Sequence, residues 1–256
     1  MTSFHYDLNH PDNSYSLPDP YKEISGLSPL EGNNCLAFVQ DEAVQIHLFD
    51  LASATITELA KHGDGDSEDL AVIGTTAYVL KSGKQPAIYQ VCDFQSDHAL
   101  FKQFDLALEK EQDPEGLCHD ASRNRLLIAC KGPSTRNDST RGIYAFNLQT
   151  MEMDPAPAYI IDSRDFLDDP EETFNPSGIA IHPRSNDLYV IGSKGEKMIV
   201  CYGMDGCFKE ALRLDKDQFM QPEGITFLST GELVISSEGK KGKKAEILTF
   251  ALSQQS

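Results

Sequence analysis

The chain has no CxxC pair, no GxSxG, no GxxxxGK[ST], no HExxH and no apolar run approaching the roughly 18 residues of a membrane span. These absences remove the usual sequence grounds for a paired-cysteine centre, a nucleophile elbow, a phosphate-cradling loop, a zinc helix or a spanning helix. Positive charge is also scarce. Against 40 Asp and Glu stand 22 Lys and Arg, a net charge of -18, so a nucleic-acid backbone or an anionic bilayer would be repelled by the surface as a whole. No nucleic-acid or membrane partner is expected. The opening Met1-Thr-Ser-Phe4-His-Tyr-Asp7 has neither the cationic start nor the apolar stretch of a secretion signal, and a cytoplasmic location is expected. The six cysteines, four of them inside apolar strand-like runs, read as reduced core thiols.

What the chain does have is a repeat. Five times an oxygen-bearing residue stands two positions before a Ser or Glu, which is followed by a small turn residue and an apolar strand. The copies are Glu23-Ile-Ser25-Gly26-Leu27, Asp66-Ser-Glu68-Asp69-Leu70, Asp113-Pro-Glu115-Gly116-Leu117, Asn175-Pro-Ser177-Gly178-Ile179 and Gln221-Pro-Glu223-Gly224-Ile225. A period of roughly 45 residues built from strands and turns implies a propeller or solenoid, because one such sheet cannot bury its own faces.

After the fourth signature come four strand-like runs, Gly178–His182, Asp187–Ile191, Lys197–Tyr202 and Phe208–Leu214, with turn residues between them. That is one four-stranded blade. The fifth repeat supplies only three strands before the chain ends. An N-terminal strand around Phe4-His-Tyr-Asp-Leu8 is expected to close it and hide the open edge. The expectation is an all-β, five-bladed β-propeller forming one domain over residues 1–256. The insertion between repeats three and four includes Ser163–Thr173, expected to be a loop with a brief helical turn; a six-bladed ring is the alternative if it hides strands.

The signature set, with Pro176-Ser-Gly-Ile-Ala-Ile-His-Pro183 and Gln221-Pro-Glu-Gly-Ile-Thr-Phe227 closing on Ser236-Ser-Glu-Gly239, resembles the SdiA-regulated propeller family of bacterial proteins over about residues 20 to 250. The family name implies no chemistry. The resemblance extends to a wider clan that includes calcium-dependent phytases, lactonases and phosphotriesterases, and shared fold is a weak guide to reaction.

In a propeller the signature residues and the loops after the second strands converge on one rim. Ser25, Glu68, Glu115, Ser177 and Glu223 would ring the channel mouth, with Glu23, Asp66, Asp113, Asn175 and Gln221 two residues earlier. Glutamates crowded there either raise one another's pKa or recruit a cation, and calcium accepts such an oxygen set. Expected metal ligands are Glu68, Glu115, Glu223 and Asp66; Asp113 and Asn175 would complete the shell or activate water, Ser177 would line the site, and Glu238 would ligate or act as base. Alternatively, the glutamates accept backbone hydrogen bonds from neighbouring blades and hold the ring together. The rim loops 81–86, 131–142, 193–198 and 238–244 carry eleven of the 22 basic residues, which would draw in an anionic group, with Lys81 and Lys131 holding it. Two functions fit this pattern. One is a divalent-cation site, with calcium the expected ion, that binds an anionic small molecule and hydrolyses a phosphoester, ester or lactone. The other is a non-catalytic propeller that binds a ligand or a protein partner. His119 and His182 fall at the opposite end and are expected to be structural.

Overall fold

The computed structural model describes residues 5–32, 34–134, 139–240 and 242–253. Five antiparallel sheets follow one another along the chain, and their innermost strands are Ile24–Pro29, Ser67–Ile73, Pro114–Asp120, Phe174–Ile181 and Pro222–Phe227. Each innermost strand touches that of the next sheet, and the fifth touches the first, so the sheets form a closed ring. This is a five-bladed β-propeller. The segment Ser163–Thr173 adds no sixth blade. It begins with the short 3-10 helix Ser163–Asp165, and the strand before it, Tyr159–Asp162, pairs within the third sheet.

The runs rich in Val, Ile, Leu and aromatics form the inner and middle strands because both faces of a blade are covered by its neighbours. The core accordingly divides into five clusters, one for each gap between blades. Ala37 and Val79 meet between the first and second blades, for example, and Phe38 and Val234 belong to the cluster between the fifth and first.

The strand that completes the fifth blade is Asn13–Ser16, paired antiparallel with Glu246–Phe250, rather than the expected Phe4–Leu8. Phe4 lies outside the described residues, and His5–Leu8 form bends and turns. Tyr6 and Leu8 are apolar for another reason: they are buried in the gap between blades four and five. Tyr6 donates to Gly231 O at 2.6 Å and sits 2.9 Å from His182 Nε2. His182 Nδ1 accepts Arg184 N–H and Ser185 N–H, so Nε2 carries the proton and donates to the tyrosine oxygen. The histidine therefore closes a turn and pins the N-terminal segment.

Candidate functional site at the channel mouth

Every signature sits on a β-bulge. In the second blade Ser67 pairs with Lys81 and Asp69 with Leu80, leaving Glu68 as the extra residue; Glu115, Ser177 and Glu223 are skipped in the same way. The first blade slips between Ile24 and Leu27. A bulge re-aims a side chain that strict alternation would send into the gap between blades. It places the Ser or Glu at the mouth while the apolar residue two positions later still packs into the gap between blades.

The small residue after it is set by close approach. A Cβ on Gly178 would lie 2.6 Å from Glu223 O, and one on Gly26 would lie 2.4 Å from Asp69 Cα. Asp69 is the one non-glycine at this position and is 1% exposed. Its carboxylate accepts Leu70 N–H at 2.8 Å and, across the gap, Leu117 N–H at 2.6 Å. Ser177 Oγ donates to Pro222 O at 2.8 Å, and Ser236 Oγ donates to Ser25 O at 2.7 Å. Asp69, Ser177 and Ser236 are thus among the residues that make polar bonds between blades. Among the described residues, none of Glu68, Glu115 and Glu223 accepts a backbone N–H of a neighbouring blade.

The glutamates instead crowd the mouth. Glu68 accepts Ser82 Oγ–H at 2.7 Å, and the same hydroxyl lies 3.2 Å from the exposed Asp66. Burial first, then repulsion from Glu115, pushes Glu68 up to about 9. Glu115, 5% exposed, takes the ammonium of Lys131, which partly offsets its burial; its pKa stands at about 7. Glu223 and Glu238 are each pushed up to about 7, by burial and then by a neighbouring carboxylate: Glu238 for the first, Asp41 for the second. Asp41 rises to about 6 through burial and Glu23.

The donor chemistry suits a hard cation, but the arrangement does not. Among the described residues no three His, Cys, Asp or Glu side chains stand together as metal ligands. Lys131 already fills the role of cation beside Glu115. Asp113 caps a 3-10 turn in the left-handed region (φ 48°) and gives its carbonyl to Lys131 N–H. Asn175 is turned to the buried Arg141, accepting from Nη2 at 2.6 Å. Of the expected anion holders, Lys131 is committed to Glu115, and Lys81 leans on the carbonyls of Ser82 and Gln85. Arg136 and Lys241 lie outside the described residues.

The rim lysines of the fourth and fifth blades do converge. A cleft of about 390 Å³ is lined by Lys194, Lys197, Lys216 and Lys240, with Ser193, Asp217, Met220 and Gln221 completing it. Lys197 reaches the carbonyls of Phe219 and Met220, Lys240 donates to Gln221 Oε1 at 2.9 Å, and Lys216 pairs with Glu196. Lys194 is exposed and makes no side-chain hydrogen bond or ion pair among the described residues. Lys194, Lys197 and Lys240 are legible as rim lysines in the sequence. Lys216, Asp217 and Met220 are not, since they come from the link between blades.

The family model for SdiA-regulated proteins matches residues 9–241. The chain belongs to the SdiA-regulated family. No curated protein matches it in sequence. Solved structures share its fold. A nidogen/laminin complex is similar at 17% identity and a TM-score of 0.57, over 86% of this chain and 74% of that one. A luciferin-regenerating enzyme is similar at 11% and 0.60, over 94% and 95%. A PQQ-bound aldose sugar dehydrogenase from Streptomyces coelicolor is similar at 12% and 0.58, over 94% and 97%. At such identities the likeness concerns the fold alone. Among the described residues no helix is long and apolar enough to cross a membrane.

Proposed function

We propose that this SdiA-regulated propeller is a non-catalytic binding module that takes a small anionic molecule in the lysine-lined cleft beside its channel mouth. The observation that supports it is the convergence of four lysines against one aspartate around a single cleft, in a chain whose net charge is -18. Like charges gathered this closely repel one another, and an anion relieves that repulsion while accepting charge-assisted hydrogen bonds. Inorganic phosphate is the simplest probe. It should raise the melting temperature by mass action, by about 1.4 kcal/mol of stability at ten times its dissociation constant. The Lys194→Ala, Lys240→Ala double variant should lose that response; an equal response in the variant would count against the cleft.

A cation at the mouth, with hydrolysis of a phosphoester, ester or lactone, is a second reading. It is favoured by the crowding that lifts Glu68, Glu115, Glu223 and Glu238 far above ordinary carboxyls. It requires Lys131 to leave Glu115 and the carboxyls to draw together. Calcium should then raise the melting temperature in wild type but not in Glu115→Gln, and no rise in wild type would remove it.

A further inference from the structure

We propose that a cavity between blades four and five, at the end opposite the mouth, is a second binding site and takes a short peptide with free ends. Glu210 would hold the terminal ammonium and Arg184 the terminal carboxylate. The site shares no residue with the lysine-lined cleft, so it stands or falls independently of the anion reading above.

The cavity measures about 980 Å³, at the upper end of the range for small-molecule sites. Blade four supplies one wall. Tyr189, on the strand Leu188–Gly195, pairs with Cys201, and Cys201 pairs with Glu210 on the outermost strand Phe208–Arg213. Directly opposed residues point to the same face of a sheet, so Glu210 faces the gap in which Tyr189 and Cys201 are buried. Blade five supplies the facing wall through Thr230, Ala251 and Leu252, and His5 of the N-terminal segment borders the space as well. The charges divide by whether they are already answered. Asp187 and Lys209 pair with each other at 2.5 Å. Glu232 precedes Leu233, which faces this gap, and its own charge acts on Tyr15 at the other face of blade five. Glu210 is half-buried, yet neither it nor Arg184 makes a side-chain hydrogen bond or ion pair among the described residues. Arg184 follows the innermost strand of blade four and lies across the facing turn of blade five, where a Cβ on Gly231 would stand 3.4 Å from its Nε. A partnerless guanidinium and a partnerless carboxylate in one cavity, with the apolar Tyr189 between them and Leu252 facing in, are complementary to a molecule carrying a carboxylate at one end and an ammonium at the other. The backbone carrying Arg184 and the strand carrying Glu210 are two to three strand spacings apart, about 10–14 Å. An extended tripeptide spans about 10 Å, whereas a single amino acid is too short to reach both.

The test is calorimetric titration at pH 7, where a terminal amine is mostly ammonium, with three probes: the tripeptide Ala-Leu-Ala, its N-acetyl form and its C-terminal amide. The free tripeptide should bind wild-type protein at least tenfold more tightly than either blocked form, the size of one charge-assisted contact for each end. Glu210→Gln should bring the free tripeptide down to the level of the acetylated one, and Arg184→Gln should bring it down to the level of the amide. No binding of the free tripeptide, or binding that blocking either end leaves unchanged, would overturn the proposal. Binding that both variants retain in full would place the peptide elsewhere and overturn it too. The comparison among probes uses wild-type protein, so it decides the matter even if a variant fails to fold.

Discussion

Each innermost strand carries two physically opposite side chains only two residues apart. At the mouth stand Ser25, Glu68, Glu115, Ser177 and Glu223; two residues further along each strand, Leu27, Leu70, Leu117, Ile179 and Ile225 are buried in the gaps between blades. The bulge makes this difference, since without it residues two apart would face the same way and share one environment. The apolar set stabilises the ring by burial. The mouth set gathers partly buried like charges, which costs stability.

The glycine between the two side chains should be the most sensitive point. Gly178→Ala drives a Cβ against Glu223 O and should cost about 3 kcal/mol or more in urea unfolding, the upper range for overpacking. A loss below about 1 kcal/mol would mean the blades are not packed this closely.

At the mouth, Lys131→Met leaves Glu115 without its cation. At pH 8 the loss should be about 2–4 kcal/mol, in line with breaking a buried pair, and it should shrink toward pH 6 as Glu115 takes up a proton. A pH-independent loss would show that Lys131 acts through packing rather than charge.

The same carboxyls set the pH dependence of folding. Glu68 at about 9, and Glu115, Glu223 and Glu238 at about 7, hold protons more tightly folded than at their ordinary value of 4.5. Between those limits the folded state binds more protons than the unfolded state, so stability falls as pH rises from about 4.5 through 7 toward 9. Glu68→Gln keeps the shape and removes the charge; it should flatten the upper part of this slope and be more stable than wild type at pH 9. A wild-type stability that climbs over this range would reverse the assignment. In the gap between blades three and four, Ile179→Val should cost only about 1 kcal/mol and do so equally at pH 6 and pH 9.

The blades were legible because burial on both faces forces apolar runs at a fixed period, and the five signatures announced five of them. The closing strand was not, because Asn13–Ser16 is polar and its outer edge faces solvent, while the more apolar Tyr6 and Leu8 fill a gap between blades. Position on the mouth was legible for the glutamates, but the bulges that aim them were not, since pairing register leaves no trace in a single sequence. Asp69 did carry a signal: it is the one signature position without glycine, and its carboxylate makes the bond to the next blade that the glutamates do not. Loop position grouped Lys81 and Lys131 with the other rim lysines. Lys131 in fact sits on the strand Arg125–Pro133, where its direction is fixed toward Glu115.

The claim that most needs a direct test is that the basic cleft binds an anion by itself, with the acidic mouth needing no metal. Titrating inorganic phosphate into wild-type protein in the presence of a chelator, and into the Lys194→Ala, Lys240→Ala double variant with an unchanged melting temperature, measures it in one experiment. The expected result is saturable binding to wild type with chelator present, weakened at least tenfold in the variant. Binding that occurs only after calcium is restored, or that is equal in the two proteins, would contradict it.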